Sequence, residues 1–143
     1  MRRLCLVIVL VLVARAPRAT TAGTDQFKVI VNPGNPIGAV DRDFLRRAYL
    51  RKISEWDGGG TIHPIDLPRA QPSRDRFTKD VLRKTPAQLR SYWSQQVFSG
   101  KGTPPPEAKS TAAAIAAVLQ DPAAVAYIPA DLDPGGAKVL ELR

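Results

Sequence analysis

The period of apolar and polar positions changes several times along the chain, and each change marks an element. Leu4 to Val13 is an unbroken apolar run. Phe27 to Asn32 (FKVIVN) is β-branched, with Val29, Ile30 and Val31 consecutive, which predicts a buried strand running into the turn-rich Asn32-Pro33-Gly34-Asn35-Pro36. Phe44, Leu45, Ala48 and Tyr49 recur at helical spacing with arginines opposite, so a helix N-capped by Asp41 is expected to run to about Lys52. Trp56-Asp57-Gly58-Gly59-Gly60 breaks that helix. Thr61 to Leu67 (TIHPIDL) then reads as a second strand, shortened or set at a sheet edge by Pro64.

Pro68-Arg69-Ala70-Gln71-Pro72 is a loop, and Ser73 is the expected N-cap of the next helix, whose buried side is Phe77, Val81 and Leu82. Thr85-Pro86 starts another helix, a capping residue followed by proline at the first position. Leu89, Tyr92, Trp93, Val97 and Phe98 form its stripe, which places Trp93, like Phe77, in the core. Lys101 to Lys109 carries three consecutive prolines and reads as a surface connection. Ser110 caps an alanine-rich helix to about Gln120, and Val125–Pro129 and Ala137–Leu142 are a third and a fourth strand. Strands separated by helices predict an α/β fold, a small mixed sheet flanked by helices.

The apolar run at the start changes the domain picture. Arg2 and Arg3 precede it and the small residues Ala16, Ala19 and Ala22 follow it, which are the three parts of a secretory signal peptide over residues 1–22. Ten apolar residues fall short of the roughly 20 that span a bilayer. The expectation is a soluble, exported, periplasmic or secreted domain over residues 23–143. Four of the 21 basic residues lie before Gly23 and none of the 13 acidic ones does, so the formal +8 of the whole chain falls to +4. That mild, interspersed charge argues against nucleic acid as a partner. Cys5 lies inside the leader, so residues 23–143 have no thiol for a disulfide. One histidine and no cysteine exclude a structural zinc site there.

No catalytic constellation emerges. There is neither a Gly-x-Ser-x-Gly elbow nor a Gly-x-x-x-x-Gly-Lys phosphate loop. His63 sits mid-strand without a nucleophile, and the pairs Asp41/Asp43 and Asp131/Asp133 fit caps and turns. Gly58 to Gly60 precede a strand, the wrong order for a dinucleotide loop. The chain reads as a non-enzyme without metal or cofactor. The best candidate for chemistry is Arg69 with Ser73 at a strand–loop–helix junction, supported by Arg74 and Arg76. A hydroxyl at a helix N-terminus and a guanidinium four residues earlier suit an oxyanion such as inorganic phosphate or sulfate. The alternative is that Ser73 caps, Asp75 complements the dipole and the arginines are solvated.

Taken together, VIVNPGNP, FLRRAYL, Trp56-Asp57-Gly58, SRDRFTKDVLRKTPAQLRSYWSQQVFSG, AVAYIP and AKVLEL resemble the small phosphate ABC transporter substrate-binding-like proteins, over roughly Phe27 to Leu142. The resemblance implies one lobe of a type II periplasmic binding protein. In two-lobed members an Arg-x-Asp-x-Ser-Gly-Thr stretch before a helix binds phosphate, and Arg69 and Ser73 fall at its Arg and Ser positions. Gln71, Arg74 and Asp75 stand where that stretch has Asp, Gly and Thr. The implied function is recognition of phosphate or a similar oxyanion through Arg69 and Ser73, for a membrane transporter or a sensor, with Arg74 added as a ligand from the local positive charge rather than from the resemblance. About 120 residues supply half a two-lobed cleft, which a homodimer could complete. The competing function is a non-catalytic interaction module that keeps the fold, with Thr103 to Pro106 beside Trp93 and Phe98 as its contact surface.

Overall fold

Val29, Ile30 and Val31 lie, as three consecutive apolar residues require, in the central strand of a mixed sheet, which the computed structural model describes within residues 26–143. That strand, β1 (Phe27–Val31), is flanked on both sides by antiparallel neighbours, β4 (Ala124–Pro129) and β5 (Lys138–Leu142). The outer strands are parallel to theirs: β2 (Ala39–Val40) to β5 and β3 (His63–Pro64) to β4. The order is β2-β5-β1-β4-β3, so the expected small mixed sheet is what forms. The predicted leader, residues 1–22, lies outside the described residues. Among the described residues no helix is long and apolar enough to cross a membrane.

Three of the expected elements change in extent. Thr61 to Leu67 contributes only His63–Pro64 to the sheet, because the ladder straddles the proline: the N–H groups of His63 and Ile65 donate to Ala123 and Val125 carbonyls, each at 2.9 Å. Pro64 therefore sits where no donor is needed, on an edge strand. Helix α1 (Arg42–Tyr49) is capped by Asp41 but stops short of Lys52. Arg51 turns left-handed (φ 57°), and the Lys52 N–H closes the end on the Arg47 carbonyl at 2.8 Å. Helix α2 (Pro72–Asp80) starts one residue before the expected cap. Gln71 occupies the cap position without a side-chain hydrogen bond, Pro72 takes the first helical position that proline suits, and Ser73 lies inside the helix, fully buried. Strand β2 had no sequence signal at all.

Helix α3 (Pro86–Phe98) begins with a capping box: Thr85 Oγ1 accepts from the Gln88 N–H at 3.2 Å, and Gln88 Oε1 accepts from the Thr85 N–H at 2.9 Å. Its expected stripe is only partly inside. Leu89 is buried and Tyr92 and Trp93 are half-buried, whereas Val97 is 54% and Phe98 96% exposed, so the helix leaves the core as it proceeds. Helix α4 (Thr111–Gln120) is capped by Ser110 and packs on β1 and β4. Every residue of β4 from Ala124 to Ile128 is buried, so both faces of that strand are covered. An aromatic cluster cements α1 and α2 to the sheet. Phe77 stacks on Tyr127 (centroids 3.9 Å, 2° between planes) and meets Tyr49 and Phe27 edge-on at 4.8 and 5.3 Å.

Candidate functional site

The edge strand β3 delivers the chain to Asp66, the loop 67–71 returns it, and α2 starts beside it. The proline-rich connection lies against the same place. The Asp66 N–H donates to the Pro106 carbonyl and the Ala108 N–H to the Asp66 carbonyl, both at 2.9 Å, a one-residue parallel bridge between Asp66 and Glu107. These contacts bring together two residues 41 positions apart in sequence, and Arg74 on the first turn of α2 reaches both of them. Its Nη2 is 2.7 Å from Asp66 Oδ2, and its Nη1 donates to Glu107 Oε2 and to the Leu67 carbonyl, each at 2.7 Å.

Asp66 is tied down from the other side as well. Its Oδ1 accepts from the Tyr127 hydroxyl and from the Leu67 N–H, the latter at 2.9 Å. Burial pushes its carboxyl above the ordinary range, against the pull of Tyr127, Arg74 and the Leu67 N–H. Burial also pushes the Tyr127 phenol well up, which keeps that hydroxyl a donor. At Arg74 burial works against the charge, but Asp66 and Glu107 outweigh it, so the guanidinium is firmly cationic. The side chains of Arg74 and Asp66 are only 15% and 14% exposed.

Glu107 is the solvent-facing partner, 41% exposed at the side chain. Arg74 holds its carboxyl below the usual range, helped by the Arg69 backbone N–H and guanidinium. Arg69 Nε stands 3.8 Å from Glu107 Oε2, and its side chain is 80% exposed. Arg69 and Arg74 thus converge on one carboxylate oxygen.

The three residues singled out in the sequence are placed differently. Arg69 and Arg74 meet at Glu107, but Ser73, expected as the exposed cap hydroxyl, is buried within α2. The helix start also offers fewer donors than expected: the Gln71 N–H goes to Pro68, Pro72 has none, and the Arg74 N–H goes to Gln71 at 2.9 Å. Asp75 lines a groove with Lys79, Arg83 and Lys84 between α2 and α3, a different surface from the Glu107 cluster. Asp66, Glu107 and Tyr127 escaped the sequence reading. The one available signal was Asp66 itself, the lone acid of the expected strand Thr61 to Leu67. Elsewhere His63 Nδ1 lies 2.6 Å from Asp121 Oδ2, an exposed pair at the C-terminal end of α4. Among the described residues no group of three or more acids, histidines and cysteines could hold a metal ion.

No protein-family model and no curated protein matches this sequence. Solved structures do match the fold. A protein from Clostridium perfringens assigned as a phosphate ABC transporter substrate-binding protein, with phosphate bound, superposes with a TM-score of 0.64 at 16% identity. The match covers 82% of this chain and 45% of that one. An ABC-type phosphate transport receptor from Vibrio cholerae gives 0.57 at 17% identity, covering 82% and 46%. PstS from Borrelia burgdorferi gives 0.63 at 14% identity, covering 83% and 47%. The chain spans about half the length of these structures. At such identities the likeness concerns the fold alone, and the fold resembles a single lobe of a periplasmic binding protein.

Proposed function

We propose that this chain is an exported, non-enzymatic substrate-binding lobe that recognises phosphate or a similar oxyanion through Arg69 and Arg74, on behalf of a membrane transporter or a sensor. The observation that carries the reading is the convergence of two guanidinium groups on one carboxylate oxygen, Glu107 Oε2, at 2.7 and 3.8 Å. That geometry suits an oxygen bearing negative charge, and guanidinium groups are the side chains best matched to such oxyanions. The fold of the solved phosphate-transport proteins supports it. Ser73 contributes in this reading by packing the start of α2, not by touching the anion. A single lobe carries half a cleft, and a homodimer would supply the other half.

Calorimetric titration with inorganic phosphate, with sulfate as the comparison anion, tests the reading. Arg69→Ala should weaken phosphate binding about ten- to a hundredfold, the loss of one charge-assisted contact. Absence of binding to either anion, both in the parent chain and with Glu107 replaced, refutes the oxyanion reading. The interaction-module reading would then stand in its place, favoured by the 96% exposed Phe98 and 54% exposed Val97 at the end of α3. Residues 81–106 hold four cations and no acid, so that surface suits an acidic protein partner.

A further inference from the structure

We propose that Glu107 is a built-in ligand of the Arg69–Arg74 pair, its carboxylate holding the place of an external oxyanion, which binds only as the Glu107 side chain swings out. This deepens the oxyanion reading and rests on it. Three donors from the loop and helix 69–74 address the Glu107 carboxylate: Arg74 Nη1 at 2.7 Å, Arg69 Nε at 3.8 Å and the Arg69 backbone N–H. A guanidinium pair plus a backbone N–H is the donor set that a bound phosphate or sulfate uses, here filled from within the chain.

The two carboxylates on Arg74 differ in how replaceable they are. Asp66 is 14% exposed and also held by Tyr127 and the Leu67 N–H, so it stays. Glu107 is 41% exposed and faces the 80% exposed Arg69, so an anion from solvent can reach the place it occupies. Its side chain can leave by rotation about its own bonds. The Asp66–Pro106 and Asp66–Ala108 backbone hydrogen bonds on either side of it need not break. With Glu107 seated, Arg69, Arg74, Asp66 and Glu107 sum to zero formal charge; with it turned away they carry +1 toward solvent. Affinity for an external anion is therefore reduced by the fraction of time the site is open.

Phosphate titrations of the parent chain, Glu107→Gln, Glu107→Ala and the double variant Glu107→Gln/Arg69→Ala test this, each variant being checked for folding by circular dichroism. Glu107→Gln and Glu107→Ala should bind phosphate about tenfold more tightly than the parent, the factor expected of a carboxylate seated about nine-tenths of the time. The double variant should lose that gain. A parent that is silent while Glu107→Gln binds supports the inference equally. Binding by the parent that weakens in Arg69→Ala but is unchanged by either Glu107 substitution overturns the inference and leaves the oxyanion reading standing. Binding indifferent to both Arg69 and Glu107 overturns the inference and moves phosphate to another surface. No binding by any of the four overturns both.

Discussion

Replacing Arg74 with methionine removes the cation shared by Asp66, Glu107 and the Leu67 carbonyl while keeping most of the side-chain volume. Breaking a sealed ion pair from one side costs about 3–5 kcal/mol, because the remaining charge is buried without compensation. Two features lower that figure here. The pair is about 15% exposed rather than sealed, and Asp66 keeps the Tyr127 hydroxyl and the Leu67 N–H. The expected loss is about 2–4 kcal/mol at pH 7, a large part of the stability of a small domain. Urea denaturation followed by tryptophan fluorescence, to which the buried Trp56 and the half-buried Trp93 both contribute, reads it directly. The pH dependence separates electrostatics from packing. Burial already holds Asp66 above its ordinary value, and removing Arg74 pushes it further. The folded variant then binds a proton that the unfolded chain releases, over the window from the ordinary carboxylate value up to the raised one, so its stability falls as pH rises through that window. The deficit relative to the parent should be largest at pH 7 and shrink toward pH 4. In Asp66→Asn/Arg74→Met, with both charges gone, it should be smaller than in the single variant. A loss below about 1 kcal/mol, or an equal loss at both pH values, would refute the account.

Two further substitutions test the packing. Phe77→Ala deletes the ring stacked on Tyr127 and should cost about 3–5 kcal/mol, whereas Trp93→Ala, on a half-buried position, should cost about 1–2.5 kcal/mol; chemical denaturation that reversed their order would contradict the burial pattern. Arg51→Gly places the residue that prefers the left-handed region at the end of α1, where φ is 57°, and should raise the melting temperature by a few degrees, about 0.5–1 kcal/mol; an unchanged or lowered melting temperature would contradict the reasoning.

The elements that the sequence predicts well are those whose signals are local. Consecutive Val29-Ile30-Val31, the Asp41, Thr85 and Ser110 caps and the period of α1 each act over one or two turns of chain, and each is found. The misplaced ones depend on partners distant in sequence. β2 is two residues long and exists because β5, about a hundred positions later, lies beside it: Val40 accepts from the Arg143 N–H and Gly38 from the Glu141 N–H. Phe98 obeys the helical period of its stripe, yet periodicity says which side of a helix is apolar and not where the core beneath it ends. The start of α2 was legible and misassigned. Pro72 is better suited to the first helical position than to the residue before a cap, the same rule that places Pro86 at the start of α3.

The candidate site divides along the same line. Arg69 and Arg74 stand out as cations near a helix start, a feature of six residues. What each cation does is decided by acids that periodicity does not connect to them. Arg74 on the first turn of α2 faces Asp66 and Glu107, while Asp75, its neighbour, faces the groove toward α3. Consecutive positions on a helix are separated by about 100°, so a helix start carries not one electrostatic character but one for each neighbour it meets. The repulsion between Asp75 and an anion at Arg69, which the sequence order suggests, is therefore weak. The carboxylate that competes with the anion is Glu107, 33 positions after Arg74 on a proline-rich connection whose composition suggested only a surface loop. Its role depends on the bridge at Asp66, and that bridge forms because β3, once Pro64 has set it at the sheet edge, ends beside the connection.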